Sequence, residues 1–71
     1  MSKKREIAPN PVQLAAGNVG GKAALGRLLG ISRAAVNAWD ARNEIPLARI
    51  PEVERVTGIP REVLRPDYFV T

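Results

Sequence analysis

Arg33 and Asn37 stand four residues apart in a run that is otherwise rich in alanine, Arg33-Ala34-Ala35-Val36-Asn37-Ala38-Trp39. On an α-helix that spacing brings both to one face, with Ala34 and Ala38 beside them. Such a face suits the reading of base edges in the major groove of double-stranded DNA. An arginine fork can pair with guanine, an asparagine amide with adenine, and an alanine methyl can touch the thymine methyl. Arg33, Ala34, Asn37 and Ala38 are therefore the candidate base readers. Lys22, Arg27, Ser32, Arg42 and Asn43 flank them as candidate phosphate contacts, and helix N-termini near Lys22 and Ser32 would add backbone N–H donors. Lys3, Lys4 and Arg5 could form an arm along the backbone or in the minor groove, although such a run is more often a solubilising tail.

Little else in the chain suggests chemistry. It has no Cys and no His, which removes disulfides, thiolate metal sites and Cys or His nucleophiles and fits a reducing compartment. Glu52, Glu54 and Glu62 come with no nucleophile, base or metal partner, so no enzyme, cofactor or metal is expected. No apolar run approaches the ~18–20 residues that span a bilayer. The start MSKKREIAPN lacks the apolar stretch of a secretory signal, so the bacterial cytoplasm, at the nucleoid when DNA is bound, is the expected location. The net charge of +4 is unevenly placed. Residues 1–42 hold seven Lys/Arg against Glu6 and Asp40, whereas residues 43–71 hold four against five carboxylates. Positive charge thus coincides with the candidate readers.

The readers need elements to hold them. At 71 residues there is one small domain, 45% hydrophobic and only 4% aromatic, so its core must come from Leu, Ile, Val and Ala. Residues 1–9 read as a flexible basic tail and residues 10–71 as the domain. Asn10-Pro11 is a helix start, with Asn as N-cap and Pro at the first helical position; Val12, Ala15, Ala16 and Val19 then keep helical spacing until Gly20-Gly21. This predicts helix 1 over about 11–18. Helix 2 is expected over about 22–29, with Ala24, Leu25, Leu28 and Leu29 as its apolar face and Lys22 and Arg27 pointing away. Gly26 supplies the small residue where helix 2 crosses helix 3, and Gly30 the left-handed turn position. Ser32 is the N-cap of helix 3, about 33–41, anchored inward by Val36 and Trp39. Residues 22–41 then form a helix-turn-helix.

A polar loop is expected over Asp40–Glu44. Leu47, Ile50, Val53 and Val56 predict a fourth helix over about 47–57, whose regular part begins near Pro51. One more turn fits 60–64, ended by Arg65-Pro66. The tail Asp67–Thr71 is extended or packed back, which leaves a β C-terminus open within an otherwise all-α, four-to-five-helix fold.

The segment KAALGRLLGISRAAVNAWDARNEIP, followed by EVERVTGIPREVLRPDYF, resembles the Cro/CI superfamily of phage-type helix-turn-helix repressors, and more narrowly the YdaS-like group of antitoxins and Cro-like regulators. The likeness covers about residues 11–69. Two positions depart from the family pattern: Gly26 stands where alanine is usual, and Pro51 falls within helix 4, where it is expected to break the helix. The resemblance implies a lambda-repressor-like domain with helix 3 as recognition helix, in a Cro-like repressor of phage or prophage origin. With only two long polar readers per subunit, a homodimer on DNA is expected. The alternative is an antitoxin that binds a toxin protein directly, although no toxin-binding extension is evident in the sequence.

Overall fold

Asn10 and Pro11 start the first helix as their chemistry requires. The computed structural model describes residues 10–69; the expected tail 1–9, with its Lys3-Lys4-Arg5 arm, lies outside the described residues. Helix α1 is Pro11–Val19. The Asn10 side chain accepts from the backbone N–H of Val12 at 2.8 Å, satisfying a donor that has no partner inside the helix. Helix α2 is Lys22–Leu29 and helix α3 is Arg33–Arg42. A 3-10 turn, Leu47–Arg49, leads into α4, Ile50–Thr57, and a single turn, α5, covers Arg61–Leu64.

The core lies where these helices meet. Val12 and Ala15 of α1, Leu25 of α2, Val36 of α3, Val53 of α4 and Leu64 of α5 are all fully enclosed. Ile45, in the segment after α3, joins them and anchors the chain as it turns toward α4. Trp39 is buried in the same cluster, as its spacing from Val36 implies.

The all-α architecture is as expected, the point left open at its C-terminus is closed, and other expectations are corrected. The C-terminal part is helical and then turns at residues 66–68, and there is no strand among the described residues. The regular part of helix 4 begins near Pro51, as expected, but Pro51 does not break the helix. It occupies the first turn of α4, where its missing N–H has no intrahelical acceptor to lose. Asp40 belongs to α3 rather than to a loop, because the helix continues to Arg42 before ending at Asn43. Leu28 is 52% exposed instead of lying on the buried face. The buried side of α2 is Leu25, Gly26 and Leu29, and Leu28 lies about 100° round the helix from Leu29.

Candidate nucleic-acid interface

The turn between α2 and α3 fixes how α3 is presented. Gly30 adopts the left-handed conformation, φ 72°, at the end of α2. The Ile31 N–H donates back to the Gly26 carbonyl at 2.8 Å and the Gly30 N–H to the Arg27 carbonyl at 3.3 Å, the two bonds of a Schellman ending. Gly26 is where the turn comes closest. A Cβ there would stand 2.8 Å from the Ile31 carbonyl oxygen, so the turn's backbone, more than α3 itself, demands the small residue. Ser32 then caps α3, its hydroxyl accepting from the Ala35 N–H at 3.1 Å.

From this start α3 shows two distinct sides. Val36 and Trp39 are buried, while Arg33, Ala34, Asn37, Ala38 and Ala41 are exposed. At about 100° per residue these five fall within an arc of roughly 140°, opposite the core side. All four candidate base readers thus share one free face, flanked by the exposed Ser32. Its flat alanine background leaves Arg33 and Asn37 as the only long side chains on the arc.

The candidate phosphate residues divide. Arg27, Arg42 and Asn43 are exposed, at the end of α2 and at and beyond the end of α3. Among the described residues, neither Arg27, Arg33 nor Arg42 has a carboxylate partner. Asn43 also ends its helix. It takes the left-handed conformation at φ 56°, and the Glu44 N–H donates to the Trp39 carbonyl at 3.0 Å. Asparagine tolerates that conformation better than most residues. Lys22 is placed differently, because its ammonium pairs with the Asp40 carboxylate. The Asn10 amide donates to the same carboxylate at 2.6 Å and the Gln13 amide at 3.5 Å. One side chain of α3 thereby ties the starts of α1 and α2. The bond from Lys22, aided by that from Asn10, holds the Asp40 carboxyl below its ordinary value, against a smaller opposing effect of burial.

Sequence reasoning missed this tie, and also Arg65. Arg65 is only 8% exposed. Its guanidinium donates to the enclosed Ile45 carbonyl at 2.8 Å and forks onto Asp67 at 2.9 and 2.7 Å, with Glu44 3.1 Å away. It thereby fastens the last turn to the segment that leaves α3. Between that segment and α5 runs a groove of about 540 Å³, with Arg42 and Asn43 on one wall and Val63, Leu64 and Pro66 on the other. A clue to Asp40 was available in the sequence, since a carboxylate in the last turn of a helix opposes the helix dipole and calls for a tertiary partner.

The three glutamates set aside as catalytic candidates have ordinary surroundings. Glu52 pairs with Arg49 at 2.9 Å, Glu54 pairs with Arg61 at 3.0 Å, and Glu62 is exposed. Among the described residues no three His, Cys, Asp or Glu side chains are grouped to hold a metal ion, and no helix is long and apolar enough to cross a membrane.

Known proteins similar in sequence and shape point the same way. A family model described as bacterial toxin YdaS matches residues 12–71. The Gene 30 protein of Enterobacteria phage phi80 is 35% identical over 71 residues, covering 97% of each chain. A candidate transcriptional regulator, YdaS of Escherichia coli strain K12, is 44% identical over 52 residues. That match covers 69% of this chain and 53% of YdaS, so the chain spans about half of that relative. Among solved structures, the Cro protein of a candidate prophage element, Xfaso 1, in Xylella fastidiosa strain Ann-1 is similar with a TM-score of 0.82 and 34% identity, over 89% of this chain and 100% of that one. A matched model over most of the chain, a full-length phage relative and a shared helical fold together establish that the chain belongs to the YdaS family, among the Cro-like helix-turn-helix proteins of phages.

Proposed function

We propose that the chain is a sequence-specific, DNA-binding transcriptional regulator of phage or prophage origin, acting as a Cro-like repressor in the bacterial cytoplasm. The observation that carries this reading is the free face of α3, where Arg33 and Asn37 project from an alanine background opposite the buried Val36 and Trp39. In this reading α3 enters the major groove. Arg33 and Asn37 pair with base edges, and Ala34 and Ala38 lie against thymine methyls. Ser32, Arg27, Arg42 and Asn43 contact phosphates on either side, which sets register without carrying sequence information.

Two readers, at ~1–3 kcal/mol of discrimination each, supply roughly 2–6 kcal/mol, whereas specific over non-specific binding spans about 4–10 kcal/mol. A homodimer on DNA, reading two half-sites about one helical turn apart, makes up the difference. The decisive experiment selects bound sites from a random DNA pool. Enrichment of a palindrome with that spacing supports the reading and the dimer together. Equal binding of selected and random duplexes across a salt titration refutes it.

The description of the matched family as a bacterial toxin supports a second reading, in which production of the chain arrests growth. Induction of the wild type and of Arg33→Ala separates the two. Arrest that disappears with Arg33→Ala acts through DNA, whereas arrest that persists acts through another partner. The antitoxin alternative gains no support from that description, and stable co-purification with a toxin encoded beside the gene is what would revive it.

A further inference from the structure

Asp40 occupies the last turn of α3, where the partial negative charge of a helix end disfavours a carboxylate. What compensates it comes from two other helices. Lys22, the first residue of α2, and Asn10, the N-cap of α1, both donate to it. The pair is partly enclosed, with 30% of the Lys22 side chain and 16% of the Asp40 side chain exposed. Lys22 starts the helix that leads into the turn, and from there a lysine would otherwise reach toward a phosphate. Its charge is matched within the protein, while Arg27, Arg33 and Arg42 on the same half are exposed and lack carboxylate partners among the described residues.

We infer that Asp40 is a positioning residue that holds the Lys22 ammonium off the DNA backbone and uses it to fix α3 against α1 and α2. Lys22 is then part of the scaffold behind the readers and adds no sequence-independent grip. This inference rests on the DNA-binding reading above and assigns a role within it. The strength of non-specific binding follows the number of phosphates that protein cations neutralise, and each such contact steepens the dependence of log K on log salt by about 0.9. Releasing Lys22 from Asp40 creates one more contact.

The test measures binding of the full chain to a random-sequence duplex over a range of salt, for wild type, Asp40→Asn, Lys22→Gln and the double variant, with a thermal melt to establish that each is folded. Asp40→Asn is expected to steepen the slope by about 0.9 and to tighten random-duplex binding about eightfold near 0.1 M salt. Lys22→Gln is expected to leave the slope nearly as it is, and the double variant to match Lys22→Gln. On an operator selected from the random pool, Asp40→Asn should gain less than on random DNA, because α3 has lost its tie.

Three results overturn the inference: a slope unchanged by Asp40→Asn in a folded protein, a slope that Lys22→Gln flattens by about 0.9, or a double variant that steepens like Asp40→Asn. The last would make Asp40 a simple repulsive charge. If Asp40→Asn does not fold, Lys22→Gln still decides whether Lys22 already grips phosphate. A wild-type protein that binds no duplex even at low salt is a separate outcome, and it ends the DNA-binding reading itself.

Discussion

Two glycines inside helices should respond in opposite directions to the same substitution. Gly17, in α1, is exposed, and a Cβ built there meets nothing within 4 Å. Gly17→Ala should therefore gain what alanine offers in a helix, about 0.5–1 kcal/mol. Gly26, in α2, is offered the same propensity gain, but its Cβ would stand 2.8 Å from the Ile31 carbonyl oxygen and 3.4 Å from the Ser32 carbonyl carbon. Both are backbone atoms. Ile31 cannot simply swing away, because its N–H donates to the Gly26 carbonyl at 2.8 Å. Forcing a methyl into such a contact costs about 1–3 kcal/mol. Subtracting the propensity gain leaves Gly26→Ala less stable than wild type by about 1 kcal/mol. For a domain of this size 1 kcal/mol moves the melting temperature by about 4–8 °C. Thermal and urea melts followed by circular dichroism should thus show Gly17→Ala rising by a few degrees and Gly26→Ala falling by a comparable amount. If Gly26→Ala rises as far as Gly17→Ala does, the close approach of the turn to α2 is not a constraint on this fold.

Four further outcomes are expected. Arg33→Ala should cost ~1–3 kcal/mol of discrimination between a selected operator and random DNA, measured as the ratio of dissociation constants at one salt concentration. Arg65→Met should destabilise by about 1–3 kcal/mol in urea, because the enclosed Ile45 carbonyl loses its donor. Asn43→Ala should lose about 1 kcal/mol of stability at its left-handed position, whereas Asn43→Gly should keep it. Asn43→Gly then isolates the side chain's proposed phosphate contact, as uniformly weaker binding with an unchanged salt slope. Asp40, Glu54 and Asp67 are held below their ordinary values by bonds from Lys22, Arg61 and Arg65 respectively. A carboxyl depressed in the folded state stabilises fully above its unfolded value of about 4 and loses that contribution as pH falls through its folded value. The urea midpoint should accordingly stay level from about pH 7 to 5 and decline below about pH 4.

The first three helices were legible because their causes are local. Asn10-Pro11, Gly20, Gly30 and Ser32 each act on the backbone within a few residues, so their positions in the sequence bound the elements almost to the residue. The regular start of α4 near Pro51 was legible in the same way, but that Pro51 would leave the helix unbroken was not. The proline's effect depends on whether it falls in the first turn of a helix or in its interior, and the 3-10 turn at Leu47–Arg49 decides that. Leu28 was misassigned because helical spacing gives the angle between residues, whereas the neighbouring helices decide which angle is covered. Arg65 and Asp40 lay beyond local reasoning altogether. Arg65 meets Ile45 from twenty residues away and Asp40 meets Asn10 from thirty, and no short spacing announces either contact.

The candidate reading face was nevertheless recognisable, since it is defined by what the core leaves out. Val36 and Trp39 can be buried only if the opposite side of α3 is free, and that side holds Arg33, Ala34, Asn37 and Ala38. The sequence could not show how firmly the face is held. Three independent ties act on α3: the Schellman turn at Gly30 before it, the Asp40 carboxylate joined to Lys22 and Asn10 near its end, and the burial of Val36 and Trp39 along its length. A helix of ten residues has little stability alone in water. Fixed at both ends and along one side, it can present two long side chains in a defined orientation, and base pairing by an arginine fork and an asparagine amide requires that orientation. The tie at Asp40 is the one that a single conservative substitution can release without removing a candidate reader. Comparing Asp40→Asn with Arg33→Ala therefore distinguishes loss of orientation from loss of a contact: both should lower discrimination, but only Asp40→Asn should also strengthen binding to random DNA.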